Sequence, residues 1–70
     1  MARKTSLPAA AVERVLRKGG VARASEDSVE EMSLVLEEMG NEISRKAWEL
    51  AAFAGRKTIK AEDVRLAFQQ

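Results

Sequence analysis

The chain has 70 residues and a formal net charge of +1, and it contains no Cys, His or Tyr. Without Cys there is no disulfide or thiolate metal site, and without His the commonest metal ligand and the commonest acid–base group are both missing. No run of about 18 apolar residues is present to span a membrane. The opening Met-Ala-Arg-Lys-Thr-Ser is not followed by the apolar segment of a signal peptide, so the chain is expected to be a small intracellular protein, not an enzyme, with no cofactor.

Residues 1–6 read as a short basic extension carrying Arg3 and Lys4. Pro8 has the fixed φ suited to the first position inside a helix. Val12, Val15 and Leu16 follow at helical spacing, and Gly19-Gly20 stops the helix after Arg17 and Lys18, where the helix dipole favours cations. The spacing predicts a first helix of about 11 residues. Residues 21–24 read as an extended connection. Ser25 is a suitable N-cap, with Glu26 and Asp27 in the first turn behind it. Val29, Met32, Leu36, Met39, Ile43, Ala47, Leu50 and Ala54 then recur three or four residues apart, which predicts one long amphipathic helix with Met32 and Met39 in its core face. Val35 and Phe53 widen the stripe. Leu34 and Trp48 fall toward the other face, where Trp48 is expected to pack into the core under a short helix of its own chain or of a partner rather than to stand partly exposed. Glu42 and Lys46 are placed for an i,i+4 pair. Gly40 weakens the helix interior by about 1 kcal/mol relative to Ala and suits a close helix crossing. Gly55 ends the helix, residues 56–59 form a second extended stretch, and a last helix is expected from about Lys60, with Ala61, Val64, Ala67 and Phe68 on its apolar side.

This pattern predicts a dimer. Of the apolar residues, twelve are Ala, and so small a core rarely supplies more than about 3–5 kcal/mol. A central helix of about 28 residues is roughly 40 Å long, too long for two short helices to cover. An identical partner whose long helix crosses the first under a two-fold axis solves this. Charge follows the same division. Residues 1–23 carry six basic side chains against Glu13 alone; residues 24–55 carry eight acids against Arg45 and Lys46; residues 56–70 are again net basic. In a head-to-tail dimer, Arg23 of one chain lies near Arg56, Lys57 and Thr58 of the other, with Arg14 and Arg17 beside them. Such paired basic clusters suit a polyanion.

The run Ala54-Gly55-Arg56-Lys57-Thr58-Ile59-Lys60-Ala61-Glu62-Asp63-Val64 resembles the second-loop and third-helix signature of archaeal histones. Leu36-Glu37-Glu38-Met39-Gly40 resembles the mid-helix segment of that family, and Leu7-Pro8 fits the start of its first helix. The resemblance covers about residues 7–68. It implies an all-α histone fold over residues 7–70: three helices, short-long-short, joined by two strand-like loops and paired in a head-to-tail handshake dimer. It also implies wrapping of double-stranded DNA with little sequence preference, on the chromosome in the cytoplasm. Carried over by position, it implies DNA contacts from Arg14, Arg23, Lys57 and Thr58, with Arg17 and Ser25 as secondary candidates. Arg56 and Asp63 are implied as an intrachain ion pair. Leu50, Phe53 and Leu66 are implied as a contact through which dimers assemble further on DNA. Family members commonly carry His in place of Phe53, basic residues in place of Glu49 and Ala52, and Arg and Lys in place of Gln69 and Gln70.

Three function classes follow. The first is an architectural histone that neutralises phosphates with Lys and Arg, with Arg entering the minor groove. The second is a histone-fold interaction subunit that pairs with another histone-fold chain and binds DNA weakly, a reading the low net charge and the Gln-Gln end leave open. The third, an enzyme, has neither a nucleophile–base pair nor a phosphate loop to support it. Glu30, Glu31, Glu37 and Glu38 read as solvated acidic surface rather than metal ligands.

Overall fold

The computed structural model describes residues 7–70; the basic extension read at 1–6 lies outside them. Three helices follow in order: α1 (Ala9–Lys18), α2 (Glu26–Phe53) and α3 (Ala61–Gln69). The chain divides into two compact units at residues 38 and 39, with α2 running through both. No described residue is in a strand. The two connections, expected to be extended, instead bend at Ala22 and at Lys57-Thr58, and neither has a strand beside it in the single chain to complete a ladder.

In the first unit, Pro8 precedes α1 rather than opening it. Its ψ of 135° is extended, so it is the N-cap, and its carbonyl accepts from Ala11 and Val12 at 3.1 and 3.2 Å. This corrects the expected N1 placement: the ring fixes φ but leaves ψ free. Three alanines then supply the first turn of α1, the residue type that loses least on entering a helix. Val12, Val29 and Ser33 are the buried residues of this unit. Ser33 interrupts the apolar set without an orphaned hydroxyl, because its Oγ donates to the Val29 carbonyl of the preceding turn at 3.0 Å.

In the second unit, Ala47 and Ala51 of α2 and Ala67 and Asp63 of α3 are buried. Three of these four are alanines, so this face is built mainly of small side chains. The Glu42–Lys46 pair forms at 3.6 Å on the surface. Larger apolar groups are left out: Met39 is 46% exposed, Trp48 49% and Phe53 94%. Within the single chain, then, Trp48 is not packed under a short helix, although it lies only about 60° round α2 from the buried Ala51. Met39 lies on the open part of the stripe.

Candidate nucleic-acid interface

Both loops leave their helices by the same device. At the end of α1, the Gly20 N–H donates to the Arg17 carbonyl at 3.0 Å and the Val21 N–H to the Leu16 carbonyl at 3.1 Å, with Gly20 at φ 96°. At the end of α2, the Gly55 N–H donates to the Ala52 carbonyl and the Arg56 N–H to the Ala51 carbonyl, both at 2.9 Å, with Gly55 at φ 76°. These are Schellman closures, in which a left-handed glycine lets two loop amides satisfy carbonyls the helix leaves open. Each fixes the direction in which the following basic residues leave the helix.

In the first unit the closure makes a hollow of about 300 Å³ lined by Glu13, Leu16, Arg17, Val21, Arg23 and neighbouring alanines. Arg17 and Arg23, six residues apart in sequence, thus share one concave surface. Arg14 is exposed on α1 but does not line the hollow. Ser25 holds the start of α2: its Oγ accepts from the Ser28 N–H at 3.3 Å and donates to Asp27 Oδ1 at 2.7 Å. That donated bond, followed by the Asp27 backbone amide, keeps the Asp27 carboxyl below the usual range. The Ser25 hydroxyl proton is therefore engaged within the chain.

In the second unit, Arg56 is held at both ends. Its amide closes α2, and its guanidinium grips Asp63 with two parallel bonds, Nη1 to Oδ2 at 2.8 Å and Nη2 to Oδ1 at 2.9 Å. Nη1 also donates to the Thr58 carbonyl at 3.2 Å. Asp63 Oδ2 accepts the Lys60 N–H at 2.8 Å, capping α3. Lys has no side-chain acceptor to return that bond. The Arg56 hydrogen bonds first, and the Lys60 amide second, hold the Asp63 carboxyl at about 2. The loop between is thereby braced, with Lys57 and Thr58 exposed on it. Phe53 and Leu66 are exposed and Leu50 half-buried.

The family of histone-like transcription factors (CBF/NF-Y) and archaeal histones matches this chain over residues 5–68. The chain belongs to that family. Among curated relatives of this histone-family chain, an archaeal histone HAN1 subunit of Thermococcus zilligii is 52% identical over 61 residues, which are 87% of this chain and 91% of the relative. Probable archaeal histone 3 of Methanocaldococcus jannaschii is 44% identical over 63 residues, 90% of this chain and 94% of the relative.

Two features of the interface escape a reading of the sequence. Glu13 enters there only as a charge to be subtracted, whereas it lines the hollow with Arg17 and Arg23. Thr58 stands out for its side chain, whereas its carbonyl is the group seen at work. A helical wheel places Glu13 four residues before Arg17 and so gives a signal for the first. The second is a backbone property, on which residue type is silent.

Proposed function

We propose that this histone-family chain is an architectural DNA-binding protein that wraps and compacts double-stranded DNA on the chromosome with little sequence preference, as a dimer of head-to-tail chains. The observation that carries the reading is the pair of braced, exposed basic loops. Arg17 and Arg23 share a hollow behind one glycine closure, and Lys57 and Thr58 sit on a loop clamped by Arg56 and Asp63 behind the other. Such groups bind phosphates through charge, with loop and helix-terminal amides adding contacts that carry no sequence information. In a head-to-tail pair, the first loop of one chain lies beside the second loop of its partner. Arg14, Arg17, Arg23 and Ser25 of one chain then join Lys57 and Thr58 of the other in one phosphate-binding surface, present twice per dimer. The exposed part of the α2 stripe, including Val35 and Met39, is the surface a second chain covers.

Leu50, Phe53 and Leu66 form the further contact between dimers. A second copy of this chain is the partner that the two-fold solution needs. No described helix is long and apolar enough to cross a membrane, in keeping with work on DNA. Crosslinking of the purified protein with and without duplex DNA tests the proposal. Dimers are expected without DNA and larger species with it, on duplexes of unrelated sequence. Monomers under both conditions would refute it.

A further inference from the structure

Glu13 is the one acidic residue among residues 1–23, and it lines the hollow that holds Arg17 and Arg23. Among the described residues it makes no hydrogen bond or ion pair. The three charged side chains of the hollow therefore leave it net +1 rather than the +2 of its arginines. A phosphate entering the hollow is drawn by two guanidiniums and repelled by a carboxylate on the same wall. In the free protein that carboxylate is a built-in counter-anion, fixed one helical turn before Arg17. A solvated salt ion diffuses away when a phosphate arrives, but a tethered carboxylate remains.

We propose that Glu13 is an affinity-limiting residue for the phosphodiester backbone: it weakens the hold of the Arg17–Arg23 hollow and keeps DNA binding readily reversible. This rests on the reading that the hollow faces phosphate. A unit charge acting in salt-free water across roughly 8 Å changes an equilibrium about two- to threefold, so two copies per dimer give about fivefold before screening. The effect is electrostatic and fades as salt shortens the screening length.

The test is titration of a labelled duplex with the full chain at about 50 and 300 mM salt. The native protein is compared with Glu13→Gln, with Glu38→Gln as an exposed carboxylate outside the hollow, and with the Arg17→Ala/Arg23→Ala pair. Thermal melting confirms that each is folded. Glu13→Gln is expected to bind about two- to threefold tighter at the lower salt, where the screening length is about 14 Å, with the gain shrinking toward unity at the higher, and to exceed any gain from Glu38→Gln. A Glu13→Gln protein that binds no tighter than Glu38→Gln, while the arginine pair variant loses affinity, would overturn the role of Glu13 and leave the interface standing. An arginine pair variant that binds like the native protein would overturn both.

Discussion

Asp63 accepts three hydrogen bonds, two from Arg56 and one from the Lys60 amide. All favour its ionised form, which is why the carboxyl sits at about 2 instead of 3.8. A carboxyl depressed on folding stabilises the protein above its unfolded value, and that contribution is lost as pH falls through the folded one. The window here is from about pH 4 down to about pH 2. Asp63→Asn is expected to lower the melting midpoint at neutral pH by about 5–10 °C, because the part-buried Arg56 side chain loses its charged partner. It should also melt with a flatter pH dependence than the native chain across that window. Equal midpoints at pH 7, or parallel pH curves, would show that the clamp does not stabilise the fold. Arg56 and Asp63 lie in different elements, a loop and the first turn of α3, so no single helical or strand period links them. Only the resemblance of the whole Arg56–Asp63 stretch made the pair legible in the sequence. Pro8 shows the opposite case: residue type placed it at a helix start, but whether it lies just inside or just outside depends on ψ, which Pro does not fix.

At the scale of elements, the glycines divide into two kinds. Gly20 and Gly55 adopt positive φ, and an added Cβ at either would meet no neighbouring atom within 4 Å. Replacement by Ala therefore costs only the left-handed backbone, about 1 kcal/mol each, and thermal melting of Gly20→Ala and Gly55→Ala should show a loss of that size. An unchanged midpoint would mean that the closures are dispensable. Gly40, inside α2, also has open space around it. In a lone chain, Ala there should stabilise the helix by about 1 kcal/mol. If a partner's long helix crosses at this point, Ala should instead weaken the dimer. The second outcome is expected, as a lower dimer affinity in sedimentation equilibrium. A more stable Gly40→Ala dimer would place the crossing elsewhere. Helix number and both stop signals are legible, and helix ends to within about a residue, because capping residues and apolar period are local. The division of the long stripe was not. Periodicity shows which side of α2 is apolar, but the chain buries the small Ser33, Ala47 and Ala51 and leaves Val35, Met39 and Phe53 outside. Which residues serve the chain and which serve a partner depends on tertiary packing.

For the whole molecule, the apolar surface left on one chain is the reason for expecting an obligate dimer. Its melting midpoint should rise with protein concentration, and a constant midpoint with a monomeric mass would remove the basis for the handshake. Phe53, almost fully exposed in the single chain, is expected to join dimers to one another, since burying such a ring contributes roughly 1.5–3 kcal/mol. Particles on long DNA should then be larger for the native chain than for Phe53→Glu, and their size should not change between about pH 5 and 8, the range in which a His at that position would titrate. Equal, single-dimer particles from both proteins would exclude the contact. The central claim is that the two loops bind phosphate together. Its most direct measurement is the slope of log affinity against log salt for a duplex, in the native chain and in Arg23→Ala/Lys57→Ala. With roughly 6–10 phosphates neutralised per dimer, the native slope should be about −5 to −9, and the variant, lacking four charges per dimer, should be shallower by about 3 to 4. A native affinity indifferent to salt, or identical slopes for the two proteins, would contradict the account.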